Sequence, residues 1–281
     1  MKYFDIHTHL NFVTYENDRE DVIERALKGG VSLINIGTQY QTSLKAVEIS
    51  NTHESCYSII GLHPVHTDKS YHDEEEIGEG GDEFTSRGEI FDSEKYQEIF
   101  NTNKKIVGVG ECGLDYYRTE KSSLEKQRIA FHSQIQFALK NDLPLMLHIR
   151  PTQDSLDAYR DCLSILDEYS SYGEKLRGDV HFFAGDISIA EEFLSRGFTL
   201  SYTGVITFAR KHYEEVISYT PMDMIFAETD APFVSPIPHR GERNEPVHVI
   251  EVYKTIADIK GISLEECAST IADNVHRVWK I

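Results

Sequence analysis

Short apolar runs alternate with amphipathic segments along the chain. Eight runs are rich in β-branched and other apolar residues, and helical patterns separate most of them. Because they are apolar nearly throughout, they are typical of strands that are covered on both faces. We predict strands at Tyr3–Ile6, Val31–Ile36, Tyr57–Gly61, Lys105–Val109, Pro144–His148, Asp179–Phe182, Phe198–Ser201 and Met224–Ala227.

The segments between these strands have helical spacing and recognisable ends. Apolar residues recur at helical spacing in residues 18–28, just before the pair Gly29 and Gly30. Three Ser-x-x-Glu pairs have the spacing of a capping box, which predicts helices from 122 to about Leu139, over 189–196 and over 264–279. The pairs are Ser122 with Glu125, Ser188 with Glu191, and Ser263 with Glu266.

Eight strand–helix repeats over most of the 281 residues predict an α/β fold with one (β/α)8 TIM barrel. We expect a single domain over residues 1–281. A doubly wound sheet also alternates strands and helices, but it usually has a glycine-rich phosphate turn after its first strand. Here the first predicted strand leads instead into His7, Thr8 and His9, which favours the barrel.

The net charge of −19 excludes a globally basic surface for nucleic acid. Residues 73–94 contain ten acidic residues and one basic residue, together with several glycines. This composition predicts an acidic, solvated surface insertion at about 67–94. The chain has no apolar run long enough for a membrane span and its first residues do not resemble a signal peptide, so we expect a cytoplasmic protein.

Candidate metal ligands fall at or near the ends of five predicted strands. Because all strands of such a barrel point their carboxyl ends to one mouth, residues far apart in sequence meet there. Imidazole and carboxylate ligands together suit Zn²⁺, Mn²⁺, Fe²⁺ or Ni²⁺, and Mg²⁺ where oxygen dominates. The candidates are His7, His9, Glu111, His148, His181 and Asp230.

The His-x-His pair in the first strand has a geometric meaning. Residues two apart on a strand face the same side, so His7 and His9 can point inward together. Such a pair alone is a weak signal, since an ordinary strand produces it by chance. Five of the 13 histidines, however, fall in or just after predicted strands, where an unpaired imidazole is costly to bury. This distribution favours a bound metal.

Eight motifs in order resemble the TatD family of metal-dependent deoxyribonucleases, among the amidohydrolase-like barrels. The resemblance covers essentially the whole chain except the acidic insertion. Phe182 and Ala184 stand where the family usually has Cys and Ser, which bears on packing around the site rather than on its ligands. The motifs are Phe4–Leu10, Gly61–Pro64, Val109–Arg118, Leu147–Arg150, His181–Gly185, Glu228–Pro232, Arg240–Pro246 and Asn274–Arg277.

The resemblance implies a site for two divalent metal ions, of Mg, Zn, Mn, Fe or Ni. It implies that His7, His9 and Asp230 hold one ion and that His148 and His181 hold the other. Glu111 would bridge both ions and take part in catalysis.

A metal pair of this kind can activate water and stabilise a phosphodiester under attack. We expect Asp230 to accept the proton of the attacking water, and His63 to orient the phosphate or protonate the leaving group. Asp115 is expected to organise its own loop. Four further residues are candidates for binding phosphate or DNA at the rim: Arg118, Arg150, Arg240 and Asn244.

The favoured function is hydrolysis of DNA, as single strands or at ends, by a metal-activated water. We expect no membrane association and no obligate protein partner. An amidohydrolase-like enzyme for a small ester, amide or phosphoester is the alternative, since the same metal pair serves both. A non-catalytic metal-binding barrel is a third hypothesis, and a full ligand set with a candidate base disfavours it. For Arg150, the alternative to binding phosphate is a salt bridge with a carboxylate at the rim.

Overall fold

The alternating pattern forms a barrel of parallel strands in the computed structural model, which describes residues 2–69, 71–72, 84–85, 88–117 and 121–281. Within this described part, eight strands form the barrel sheet, and each is hydrogen-bonded to the next along the chain. We label them β1 Tyr3–Thr8, β2 Val31–Ile36, β3 Cys56–Ile60, β4 Ile106–Asp115, β5 Leu145–Arg150, β6 Gly178–Val180, β7 Phe198–Tyr202 and β8 Ile225–Ala227.

The sheet closes between the end of β1 and the segment that follows β8. Thr8 forms an isolated parallel bridge with Ala231. The amide of His9 donates to the carbonyl of Ala231 at 2.8 Å, and the amide of Asp230 donates to the carbonyl of His7 at 2.9 Å. Barrel closure therefore fixes the backbone at three candidate ligands directly.

Every barrel strand is followed by a helix that packs on the outside. In the described residues there are nine α-helices, and the last two both follow β8. They are α1 Arg19–Lys28, α2 Tyr40–Thr52, α3 Ser93–Thr102, α4 Lys121–Asn141, α5 Asp157–Asp167, α6 Ile187–Ser195, α7 Arg210–Tyr219, α8 Val249–Lys260 and α9 Leu264–Trp279. None of the helices described is long and apolar enough to cross a membrane.

The starts of two helices show how well the sequence pattern predicts a helix cap. The predicted cap of α9 is confirmed, because Ser263 Oγ accepts the amide of Glu266 at 3.1 Å. The predicted start of α6 at 189 was two residues late. Asp186 is the cap there and accepts the amide of Ile189 at 3.0 Å, while Ser188 Oγ donates to the same carboxylate.

Strand β4 extends six residues beyond its predicted end at Val109. Its pairing with β5 shifts register between Val109 and Cys112. Gly113 permits the close approach, since a Cβ at that position would lie 2.2 Å from the carbonyl oxygen of His148. Glu111 and His148 consequently lie within their strands, rather than at the strand ends as predicted.

Much of the acidic insertion predicted at about 67–94 lies outside the described residues, namely 70, 73–83 and 86–87. In the part that is described, Tyr71–His72 pairs antiparallel with Phe84–Thr85. Phe91 is buried and stacks on Tyr96, with ring centroids 4.4 Å apart. Asp92 then caps α3, so the chain has rejoined the barrel body by Phe91.

Candidate metal centre

The six candidate ligands from five strands converge inside the barrel mouth. Five of them are buried, and His148 is partly exposed. A strand alternates its side chains, so His7 and His9 both point inward from β1 and the residue that follows it. Asp230 follows β8 in the left-handed backbone region, with φ of 55°. His181 directly follows β6.

The first group of candidate metal ligands is formed by His7, His9, Glu111 and Asp230. The two histidine Nε2 atoms are 3.1 Å apart. Glu111 Oε2 lies 3.3 Å from His7 Nε2 and 3.6 Å from His9 Nε2. Asp230 Oδ1 lies 3.7 Å and 3.4 Å from the same two nitrogens. Ligand atoms about 2.1 Å from one ion lie about 3.0–3.4 Å from each other. Three of these five separations are within that range, and the other two, 3.6 Å and 3.7 Å, are slightly longer.

A second group of side chains, three histidines, lies on the other side of Glu111. Glu111 Oε1 is 2.7 Å from His148 Nδ1, 3.3 Å from His63 Nε2 and 3.8 Å from His181 Nε2. The two carboxylate oxygens of Glu111 thus face different sets of histidines. A carboxylate that bridged two cations would need such an arrangement, and this role of Glu111 stays a prediction.

Hydrogen bonds to the far side of the histidine rings fix which nitrogen faces the cavity. His9 Nδ1 lies 3.1 Å from the carbonyl oxygen of Ile36, which can only accept, so His9 directs the Nε2 lone pair into the site. His63 is different, because its Nδ1 accepts the amide of Val65 at 3.2 Å. The neutral His63 ring therefore carries its proton on Nε2, which makes it a hydrogen-bond donor toward Glu111.

The pKa values reflect this crowding of charge. Burial raises the carboxylate pKa of Glu111, but His63, His7 and the hydrogen bond to His148 outweigh it and hold that pKa well below its usual value. Burial and the neighbouring His148 lower the pKa of His63 to about 4, which keeps its ring neutral. Burial also disfavours charge on His148, but hydrogen bonds to Asp115 and Glu111 raise its pKa to about 9.

The contact between Asp115 and His148 is a functional feature that sequence reasoning missed. As expected, Asp115 organises its loop, since Oδ1 accepts the amide of Tyr117 at 3.0 Å. Its other oxygen lies 2.9 Å from His148 Nε2. Because β4 continues through Asp115, this residue lies in the same strand as Glu111, four positions later. The predicted end of the strand at Val109 concealed this.

A cavity of about 430 Å³ opens over these groups. Its polar floor carries five of the six metal-ligand candidates, while His7 lies beneath it, and includes Asp115, His63 and His66. His66 was not singled out from the sequence. Much of the remaining wall is apolar: Phe12, Val65, Ile149, Phe182, Phe233 and Val234.

The four predicted substrate contacts have different positions. Arg150 lines the cavity, and its guanidinium carbon lies 4.0 Å from the ring centroid of Tyr117. Arg240 is exposed outside the cavity lining and stacks over Phe208 at 4.1 Å. Arg118 lies outside the described residues.

The expectation of a substrate contact from Asn244 is not met, because its side chain is fully buried and already saturated. Its Nδ2 donates to the carbonyls of Thr229 at 3.0 Å and Phe233 at 2.7 Å. Its Oδ1 accepts the amide of Glu245 at 2.9 Å and lies 3.0 Å from His248 Nδ1. Asn244 therefore holds the loop that follows β8.

Residues 4–280 match the family described as TatD related DNase. The chain is 34% identical over 280 residues to a Bacillus subtilis (strain 168) protein named uncharacterized metal-dependent hydrolase YabD, covering 99% of both chains. It is 29% identical over 289 residues to a Citrobacter koseri protein named 3'-5' ssDNA/RNA exonuclease TatD, again covering 99% of both.

Among solved structures, the fold is similar to that of YJJV, a TatD homologue from Escherichia coli K12. The TM-score is 0.82 at 23% identity, with 100% of this chain and 98% of that chain covered. A TatD family hydrolase from Entamoeba histolytica gives a TM-score of 0.79 at 23% identity, with 99% and 97% covered. These likenesses confirm the predicted barrel class.

Proposed function

Because the chain belongs to the TatD related DNase family of metal-dependent hydrolases, we propose that it hydrolyses phosphodiester bonds of DNA, as single strands or at ends. The observation that carries the proposal is Glu111, whose two carboxylate oxygens face two separate groups of donors. The name of the Citrobacter koseri relative supports a nucleic-acid substrate. The cavity supports an anionic one, since Arg150 lines it.

We propose that two divalent ions bind here. His7, His9 and Asp230 would hold one, and His148 and His181 the other, with Glu111 shared between them. When bound, the ions would supply Lewis-acid activation of water and offset the negative charge of the phosphate. Four of these six ligands are imidazoles, which favours zinc, manganese, iron or nickel over magnesium.

The reaction then needs a base, an acid and a contact to the phosphate. Asp230 accepts a proton from the attacking water as the water oxygen bonds to phosphorus. His63, which is neutral and carries its proton on Nε2, orients the phosphate by donating a hydrogen bond to it. A solvent water protonates the leaving oxygen as the phosphorus–oxygen bond breaks. Arg150 binds a non-bridging phosphate oxygen, and Tyr117 supports its guanidinium by stacking.

The test compares chelated and metal-restored protein on single-stranded DNA, duplex DNA and generic ester and amide substrates. We expect cleavage of single-stranded DNA only after metal is restored, and none by a Glu111→Gln variant. A matched control is Glu245→Gln, because Glu245 pairs with Arg25 away from the cavity. Elemental analysis should give two metal equivalents in the wild type.

Cleavage of DNA that survives both chelation and Glu111→Gln would exclude the metal mechanism. Turnover of an ester or amide without cleavage of DNA would instead establish the amidohydrolase-like alternative. One metal equivalent in a fully active enzyme would overturn the proposal of two ions.

A further inference from the structure

The rings of His7 and His181 stack inside the barrel, with centroids 3.5 Å apart and planes inclined by 17°. One edge of each ring faces Glu111. There, His7 Nε2 lies 3.3 Å from Glu111, and His181 Nε2 lies 3.8 Å from Glu111. In the proposed function these two histidines serve different ions. They nevertheless share one environment on their opposite edges.

That shared environment is the carboxylate of Glu228. His181 Nδ1 lies 2.8 Å from Glu228 Oε1, and His7 Nδ1 lies 4.0 Å from Glu228 Oε2. His7 Nδ1, His181 Nδ1 and Glu228 Oε2 are all buried, and none of them has a hydrogen-bond partner elsewhere among the described residues. Glu228 is therefore the group that faces both nitrogens, through a short contact to His181 and a longer approach to His7.

Glu228 is held in place independently of the histidines. Its side chain is fully buried. Its Oε1 accepts the amide of Phe182 at 2.8 Å, and its own amide donates to the carbonyl of Tyr202 at 3.1 Å. These contacts connect it to β7 and to the segment after β6, so the carboxylate is fixed before any metal binds.

The chemistry of imidazole gives this arrangement a consequence. A neutral ring carries one proton, and the nitrogen without it is the one that can bind a metal. An ionised carboxylate only accepts, so it favours a proton on the Nδ1 that faces it. The lone pair then lies on Nε2, on the side that faces Glu111.

We propose that Glu228 is a positioning residue that holds both His7 and His181 with Nε2 directed at the metal ions, and so supports both ion sites at once. The inference rests on the proposed two-ion site. Carboxylates in this position behind a metal-binding histidine fix the ring and raise its basicity. Here a single carboxylate serves one histidine from each site.

The variant that tests this is Glu228→Gln, which keeps the shape and loses the charge. We expect metal affinity, measured by competition with a chelating dye, to fall by about 10- to 100-fold at both sites. Glu228→Asp should recover part of the loss. The matched control is Glu245→Gln, the same exchange at a carboxylate that pairs with Arg25 away from the cavity. It should bind metal like the wild type.

Thermal unfolding of the metal-free proteins separates positioning from a merely structural role. If Glu228 positions the ligands, metal-free Glu228→Gln should unfold at about the temperature of the metal-free wild type. A lower unfolding temperature with unchanged metal affinity would show that Glu228 only packs the barrel, and the proposal would be wrong.

A second measurement needs no variant. In the zinc-loaded wild type, ¹⁵N-histidine NMR should show His7 and His181 with protons on Nδ1 and zinc on Nε2. Protonated Nε2 on either ring would overturn the inference, even if Glu228→Gln failed to fold. Tight binding of two ions without cleavage of DNA would refute the nuclease proposal alone and leave the role of Glu228 standing.

Discussion

Two pairs of stacked histidine rings lie in different regions of the molecule. His7 and His181 stack in the candidate metal centre. His239 and His248 stack on the loop after β8, with centroids 3.7 Å apart and planes inclined by 7°. In both pairs one ring has a lowered pKa, caused by burial first and then by the partner ring. The two pairs are therefore alike in their ring stacking and in the direction of this pKa shift.

The groups around the rings differ. Carboxylates surround the first pair, and although burial opposes it, Glu228 and Asp230 raise the pKa of His181 to about 10. In the second pair, His248 Nδ1 lies 3.0 Å from Asn244 Oδ1 and 3.3 Å from the amide of Glu245. Glu242 also approaches this pair, at 3.5 Å from His239 Nδ1, but its side chain is largely exposed. Buried carboxylates that converge on the rings therefore distinguish the candidate metal site from histidines that pack together.

The sharpest test of this comparison replaces one ring in each pair by phenylalanine. His7→Phe keeps the stacking but removes a ligand, so we expect loss of at least one metal equivalent. We also expect hydrolysis of DNA to fall by about 1,000-fold or more, since the ions supply several kcal/mol to the transition state. The matched His248→Phe should keep both metal equivalents and most activity. Similar metal loss in both variants would show that the comparison is wrong.

A smaller effect is expected from the carboxylate behind His148. Asp115→Asn keeps the side-chain volume but removes the charge that faces His148 Nε2 at 2.9 Å. We expect one of the two ions to bind about 10- to 100-fold more weakly, while the other keeps its affinity. Titration with metal under chelator competition would then show two separate steps. Equal weakening of both ions would mean that Asp115 does not act through His148.

One arginine in each of the two regions provides a further test, and we expect only the one in the cavity to contribute to substrate binding. Arg150 lines the cavity, whereas Arg240 stacks on Phe208 near the second histidine pair. Arg150→Ala removes a charge-assisted hydrogen bond to phosphate, so we expect KM for a short single strand to rise about tenfold with a smaller change in kcat. Arg240→Ala should change KM by less than about threefold on the same substrate. A larger rise in KM for Arg240→Ala than for Arg150→Ala would indicate that the substrate binds on the loop after β8 rather than in the cavity.

Strand–helix alternation was enough to predict the barrel, because buried parallel strands leave near-continuous apolar runs. The convergence of His7, Glu111 and Asp230 followed from barrel geometry once the strands were known. Their roles as ligands stay a prediction. The pattern alone could not tell which other polar residues would share the mouth.

The failures have a common physical cause, which is that sequence periodicity does not report register or closure. The register shift in β4 carries that strand to Asp115 and creates its contact with His148. Asn244 resembled a rim residue, yet the fold of its loop buries the amide and uses all its hydrogen bonds. Both outcomes depend on how distant segments meet, and neither leaves a local pattern in the chain.

The smallest expected effect concerns stability in acid. Burial, and then His239, lower the pKa of His248 from 6.5 to about 4. Between these pH values the unfolded chain binds a proton here that the folded protein does not, so the free energy of unfolding falls as pH falls. Above pH 6.5 this stability is fully present. His248→Phe removes the titrating group. Between pH 7 and pH 5 the free energy of unfolding of the metal-free variant should therefore fall by about 1 kcal/mol less than that of the metal-free wild type, allowing for solvent screening. Urea unfolding at both pH values measures the difference, and an equal loss in both proteins would show that the second pair is already solvated.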